Sequence, residues 1–258
     1  MAKLSVNVNK VATLRNSRGG NEPDLLRAVD ACLVAGAPGI TVHPRADERH
    51  IRRTDVLEIA AFLAMKRAGG NDEPEFNIEG DPRPDLLDLV VQARPTQCTL
   101  VPVMPGEVTS QAGWPPDTDE VWMRGVVSRL QREGIRVSMF VDPEEAAVRW
   151  AARLGADRVE LYTEPYARAF ERGEGPASFR LYAEAATLAH ELGLGVNAGH
   201  DLDLNNLPLF RTLPHLDEVS IGHALMSHAL FVGLDRAVRD YLAALAPSDS
   251  PAGPSRAV

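Results

Sequence analysis

Lys3, Lys10 and Lys66 are the only lysines in a chain of 258 residues, so positive charge rests almost entirely on arginine. Basic residues number 27 against 36 acidic ones, for a formal net charge of −9, and the broad basic face that nucleic-acid binding needs is missing. That deficit leaves a small phosphorylated partner open, because a few local arginines can outweigh a distant acidic surface. Cysteine is scarcer still. Cys32 and Cys98 offer no zinc-like spacing, and reduced thiols in a cytosolic protein are the simplest reading. No apolar stretch is long enough to span a bilayer, so no membrane partner is expected. Met1-Ala2-Lys3 leads directly into a strand-like run without a signal peptide, which points to the cytoplasm. Neither a G-x-G-x-x-G nor a P-loop sequence occurs, and no His-x-His or His-Glu-x-x-His pair supports a metal hydrolase.

What is present is an alternation of short apolar runs and helical periodicity. Hydrophobic residues make up 45% and charged residues 24%, the balance of a globular chain. Strands are expected at Leu4–Val8, Ile40–Val42, Phe76–Ile78, Cys98–Val101, Val137–Val141, Val159–Thr163, Gly195–His200 and Glu218–His223. Pro44 ends the second of these, since it cannot donate to a ladder. Between them the pattern predicts a polar loop over Lys10–Gly20 carrying Arg15 and Arg18, and a helix opened by Pro23 and ended by Gly36. Further helices are expected around Val56–Leu63, Leu86–Ala93, Val121–Leu130, Pro143–Gly155, Ala177–Leu192, a short one in Asn205–Leu213, and a last one running to about Leu245. Asp142 and Glu145 bracket Pro143 like a capping box. The stretch after the sixth strand, with Gly173 and Gly175, reads as a polar loop. Eight strands alternating with eight helical segments predict an α/β fold, a (β/α)8 TIM barrel with additional short helices, ahead of a doubly wound sheet. Residues 1–245 form one catalytic domain in this reading. Residues 246–258, rich in Pro, Ser and Ala, form a disordered tail.

In such a barrel chemistry collects at the carboxyl ends of the strands. The residues delivered there are Asn7, Asn9, His43, Glu79, Glu160, His200 and His223. Imidazoles beside shielded carboxylates suit multi-step proton transfer, because both can be brought to titrate near neutral pH. Arg15, Arg18 and Arg45 on the loops above have the planar fork that clamps phosphate, against the bland reading of solvated surface arginine. Gly199-His200 and Gly222-His223 follow the last two strands, where small residues leave backbone N–H groups free for phosphate. His50, among Asp47, Glu48 and Arg49, reads as a surface helix start. His190, His215 and His228 read as structural.

The runs Val6-Asn7-Val8-Asn9-Lys10-Val11-Ala12-Thr13-Leu14-Arg15-Asn16, Ile40 to His43 with Arg45, Asp47 and His50, Asn197-Ala198-Gly199-His200, and Ile221-Gly222-His223-Ala224 resemble the pyridoxine 5'-phosphate synthase family. Four separated motifs in the right order make the resemblance specific. It implies a (β/α)8 barrel assembled as a homo-octamer that needs no metal or organic cofactor. The implied reaction condenses 1-deoxy-D-xylulose 5-phosphate with 3-amino-2-oxopropyl phosphate to pyridoxine 5'-phosphate, phosphate and water. By the resemblance His43 and Glu79 are proton acceptors, His200 is the proton donor, and Glu160 stabilises charge. Asn7, Arg18, Arg45, His50, Thr109, Gly222 and His223 match substrate- or product-binding positions.

The chain departs from that pattern at three positions. Asn9-Lys10 stands where the family has Asp-His, and Asp201 stands where a glycine usually follows the histidine. Lys10 can hold a phosphate, and a lysine there also raises a Schiff-base aldolase as an alternative. A non-catalytic barrel that binds phosphorylated ligands is the other alternative. Asn9, Lys10 and Asp201 are therefore counted with the substrate-binding candidates.

Overall fold

A computed structural model describes residues 2–68, 74–103 and 110–247. The strands are β1 (Lys3–Asn7), β2 (Gly39–Val42), β3 (Glu75–Gly80), β4 (Gln97–Leu100), β5 (Arg136–Val141), β6 (Arg158–Tyr162), β7 (Gly195–Gly199) and β8 (Leu216–Ile221). Each pairs in parallel with the next, and β8 closes on β1 through Leu4↔Val219 and Val6↔Ile221. The expected (β/α)8 barrel is what the chain forms.

The helices differ from expectation in instructive places. They are α1 (Asn9–Asn16), α2 (Leu25–Val34), α3 (Arg53–Ala68), α4 (Pro84–Ala93), α5 (Glu120–Arg132), α6 (Glu145–Leu154), α7 (Glu164–Glu171), α8 (Gly175–Glu191), α9 (Leu207–Phe210), α10 (His223–Val232) and α11 (Leu234–Leu245). Residues 9–16, expected as loop, form α1 because Ala12 and Arg15 both find buried partners. Pro23 precedes α2 rather than opening it, and Asp24 caps that helix by accepting the Arg27 amide at 3.0 Å. Asp142 does not cap α6; its carboxylate instead accepts the Gly113 amide at 3.2 Å. The supposed loop after β6 holds α7, started by Pro165 in its first turn and buried through Tyr166, Ala167 and Ala169. The last helix is two, split at Gly233 with φ +85°. Positions 47–50 are turn and bend, and the helix starts at Arg53. Gly69-Gly70, where the sequence pattern closes the Val56–Leu63 helix, and nearly all of the tail lie outside the described residues.

The two faces of the sheet have opposite chemistry. Outward positions such as Val6, Ile40, Ile78, Val137, Val159 and Val196 are fully buried under the helices and make the apolar core. Inward positions are polar. Ser220 bonds Glu79 from β8 to β3, Thr99 bonds Glu160 from β4 to β6, and Asn197 bonds Gln97 from β7 to β4, at 3.4, 3.3 and 3.3 Å. Those strands are not neighbours, so the bonds cross the lumen. Ser5 with Thr41 (2.6 Å) and Thr99 with Asn77 (3.1 Å) extend the same network. Barrel interiors are usually layers of Val, Ile and Leu. A polar one is tolerable because most of its groups find partners, with buried Ser138 Oγ the exception among the described inward-facing residues of β5. At the amino-terminal end Lys3, Glu75, Arg136, Gln97 and Arg158 close the lumen with ion pairs and hydrogen bonds.

Arg15 belongs to the scaffold and not to a phosphate clamp. Its guanidinium is buried against Asp55, with bonds of 2.6 and 2.8 Å, and also donates to the His50 carbonyl at 3.2 Å. Asn16 donates to that same carbonyl at 2.8 Å. Together they fasten the β2–α3 loop to α1. Removing one partner of a buried pair strands the other charge, which costs about 3–5 kcal/mol. Arg15→Met should therefore lower the thermal midpoint by roughly 10 °C. Adding Asp55→Leu should recover most of that loss. Calorimetry of both variants checks it, and a single variant as stable as the parent would remove the pair from the scaffold.

Candidate active site

The carboxyl ends of the strands surround a cavity of about 460 Å³. Asn7, Asn9, Lys10, His43, Arg45, His50, Glu79, Glu160, His200, Asp201, Gly222 and His223 all line it. The cavity wall also includes Thr13, Arg49, Ser110 and Ser220, which the sequence reading did not single out. Arg18 does not reach it. That residue stands exposed in the turn after α1. Thr109 lies outside the described residues.

His43 is set by its backbone. Its amide donates to Asn9 Oδ1 at 2.9 Å, and the Asn9 amide donates to Asn7 Oδ1 at 3.0 Å. On the other side Arg83 donates to the Pro44 carbonyl at 2.7 Å. The ring then places Nδ1 3.7 Å from Glu79 Oε2, while Nε2 is buried without a hydrogen-bond partner among the described residues. Asn9 supplies the acceptor this arrangement requires with an amide oxygen, so the charge of an aspartate is not needed for it. Burial holds the His43 pKa well below its ordinary value, and the His50, Arg45, His200 and Arg83 groups add to that.

Two carboxyls form the floor. Glu79 accepts from Ser220 Oγ and from Asn7 Nδ2, both at 3.4 Å, and among the described residues no lysine or arginine pairs with it. Burial pushes its pKa up to about 8 against the pull of Ser220, with Glu218 adding to the rise. Glu160, one layer deeper, is also raised well above the usual range by burial and by Glu79 and Glu218. Glu218, lower in the lumen and raised to about 7 mainly by burial, is a third such carboxyl. Gly199 makes room for Glu160, since a Cβ there would sit 2.5 Å from Oε1. Gly222 does the same for Asn7, whose Cβ lies 3.0 Å away.

His200 stands across the cavity, its ring 5.1 Å from Phe140 and 5.4 Å from Tyr162 between centroids. Burial lowers its pKa to about 4, with Asp201 opposing. The remaining wall is cationic. Arg45 is buried, and Lys10 and Arg49 are exposed at the rim. Burial lowers the His50 pKa to about 4, and the charges of Arg45, Lys10 and Arg49 reinforce the shift. The His50 Nδ1 accepts the Ile51 amide at 2.9 Å, leaving the proton of the neutral ring on Nε2. Opposite, Gly222 and His223 begin α10, whose amino end favours an anion. At neutral pH the cavity thus combines the neutral imidazoles of His43, His50 and His200, protonated carboxyls and a positive rim, a set suited to proton shuttling on a phosphorylated substrate.

Comparison with known proteins decides the lineage. The family described as "Pyridoxal phosphate biosynthesis protein PdxJ" matches residues 4–247. The chain belongs to this family. The pyridoxine 5'-phosphate synthase of Bacteroides fragilis (strain YCH46) is 50% identical over 242 residues, 93% of this chain and 98% of that one. The pyridoxine 5'-phosphate synthase of Leptospira biflexa serovar Patoc is 49% identical over 253 residues, covering 95% and 97%. Among solved structures a 3-hexulose-6-phosphate synthase matches with a TM-score of 0.61 at 14% identity, over 95% of this chain and 100% of that one, and that likeness concerns the fold. Asn9, Lys10 and Asp201 all lie on the cavity wall.

The shifted groups make stability depend on pH with a definite sign. Glu79 and Glu218 bind protons more tightly folded than unfolded, so their contribution is complete below the unfolded carboxyl pKa and is lost as pH rises through about 8 and about 7. His43, His50 and His200 act oppositely, their contribution being lost as pH falls below the unfolded imidazole value. Below about pH 6.5 the two sets offset each other. Above about pH 6.5 the carboxyls act alone, Glu218 up to about 7 and Glu79 up to about 8, and stability should fall by up to about 1.4 kcal/mol per pH unit for each within its own range. Urea unfolding across that window should show the decline in the wild type and a shallower one in Glu79→Gln. Equal slopes would mean that Glu79 does not hold its proton.

Proposed function

We propose that this protein is a pyridoxine 5'-phosphate synthase, joining 1-deoxy-D-xylulose 5-phosphate and 3-amino-2-oxopropyl phosphate by general acid–base catalysis. The observation that carries it is the meeting of His43, Glu79, Glu160 and His200 in one cavity of a chain that matches the PdxJ family from residue 4 to 247. The steps are an amine–ketone condensation, loss of phosphate, ring closure and dehydration. Each moves a proton, and the amine belongs to the substrate. Lys10 is exposed at the rim, a poor setting for the desolvated amine a Schiff base needs.

The resting protonation orders the roles. Glu79 begins with its proton, so it acts as an acceptor only after giving that proton away, and neutral His43 at 3.7 Å is the nearest base. His200 begins neutral and becomes a donor after taking a proton from an earlier step. The two sides of the cavity therefore alternate between acid and base in successive steps. Glu160 beneath them adjusts charge without leaving the floor. Arg45, His50, Lys10 and the start of α10 serve the phosphates, with Asn7, Arg49, Asp201 and His223 along the same wall. Thr109 keeps the binding role its motif position implies, whereas Arg18 stands outside the cavity wall. A homo-octamer in the cytoplasm completes the proposal; the exposed Leu230 and Phe231 on α10 favour an apolar contact between copies. Sedimentation of the purified protein tests that assembly.

Incubation with both phosphorylated substrates and detection of pyridoxine 5'-phosphate by mass is the direct test. His200→Asn and Glu79→Gln should each lower turnover by roughly 10²–10⁴-fold. If both keep near-full activity, the assigned roles are wrong.

Lys10 offers a point charge where the family has a histidine, and removing a uniform binding contact raises KM without slowing chemistry. Lys10→Met should raise KM for one of the two substrates and leave kcat within roughly tenfold. Unchanged constants for both would return Lys10 to the solvated surface, and abolished turnover with intact binding would favour a covalent role.

A further inference from the structure

His200 and Asp201 are consecutive residues in the left-handed region, with φ of +85° and +58°, and neither is glycine. That conformation costs about 1–2 kcal/mol per residue, and it persists where the surroundings over-determine it. Two buried side chains provide the determination. Thr163, fully buried just after β6, brings its hydroxyl to 2.6 Å from the Gly199 carbonyl and within bonding distance of the His200 carbonyl. Its amide also donates to the Gly199 carbonyl at 3.0 Å. Asn206, 4% exposed, donates Nδ2 to the Asp201 carbonyl at 3.0 Å. Neither side chain lines the cavity.

Both clamps are themselves fixed from α7. The Thr163 carbonyl accepts the Ala167 amide in that helix's first turn at 3.0 Å. Tyr166 donates its hydroxyl to the Asn206 carbonyl at 2.8 Å, and Asn206 Oδ1 accepts the Asp203 amide at 2.9 Å. Helix α7 thus serves as the common brace for the three carbonyls of residues 199–201.

We propose that Thr163 and Asn206 are positioning residues for proton transfer by His200, holding the backbone of residues 199–201 turned so that the imidazole stands against Phe140 and Tyr162 at the cavity. The proposal rests on the reading of His200 as the proton-transferring group. Returning residue 200 to negative φ would rotate its Cα–Cβ bond and carry the ring off that pocket. The clamp acts on geometry and not on substrate contact, so its loss belongs in turnover and not in binding.

Thr163→Val keeps the side-chain shape and removes the donor. It should lower kcat by roughly 10- to 100-fold, the usual penalty for a displaced catalytic group, with KM for both substrates within about threefold. Thr163→Ser, which keeps the hydroxyl, should restore most of the loss. The His200 ring proton resonances, shifted by Phe140 and Tyr162, should move toward ordinary values in the valine variant and stay in place in the serine one. Asn206→Ala is read in the same way should the valine variant not fold. His200→Asn in parallel separates the two ideas. Near-normal turnover of Thr163→Val beside an inactive His200→Asn overturns the clamp alone. An active His200→Asn overturns the clamp together with the reading beneath it.

Discussion

Carboxyl groups buried in the lumen of the barrel, with no lysine or arginine paired to them among the described residues, are the constraint on which the rest of the structure depends. Glu79 and Glu160 are buried, and their hydrogen-bond partners among the described residues are Ser220, Asn7 and Thr99, all neutral. A carboxylate in such a place is costly, and the group answers by keeping its proton. The neutral hydrogen-bond network across the lumen is what makes this affordable to the fold. The arginines that could have ionised these groups are held elsewhere, Arg136 and Arg158 at the amino-terminal end and Arg15 against Asp55. Cations that do reach the cavity collect on its rim, where Lys10, Arg45 and Arg49 face incoming phosphate.

This division separates binding from chemistry within one cavity. The rim carries the cationic side chains Lys10, Arg45 and Arg49. The floor and the two histidines are neutral at rest, and each can change by one proton. Desolvation drives the imidazoles down and the carboxyls up, so both kinds of group rest in their neutral forms. The scaffold enforces the distances. Asn9 and Arg83 hold the backbone on both sides of His43, and Gly199 and Gly222 remove the Cβ atoms that would displace Glu160 and Asn7.

Much of this was legible in the residues. The eight strands declared themselves through short apolar runs, and the cavity histidines stood where those runs ended. The polar lumen was legible too, although the runs masked it. Ser5 and Asn7, Thr41 and His43, Asn77 and Glu79, Gln97 and Thr99, and Glu218 and Ser220 recur at a period of two, the signature of one polar sheet face. Parallel strands covered on both faces normally read as continuous apolar runs, which is why the alternation was easy to pass over. Other features depend on tertiary partners. Arg15 and Arg18 look alike three residues apart, and only the distant Asp55 makes the first a buried scaffold residue. His50 sits in a charged surface-like segment and becomes half-buried because Arg15 and Asn16 draw its carbonyl inward. Helix α7 was missed because its apolar face is short, yet Pro165 in its first turn was a usable signal.

The central claim is that Glu79 holds a proton in the folded, unliganded protein at neutral pH. Carbon-13 labelling of the glutamate side-chain carboxyls, with the Glu79 signal assigned by its loss in Glu79→Gln, reads that proton directly during a pH titration. The account predicts a Glu79 carboxyl that stays in its acid form at pH 7 and titrates near pH 8. A signal already in its carboxylate form at pH 6, titrating with the exposed glutamates, would contradict it.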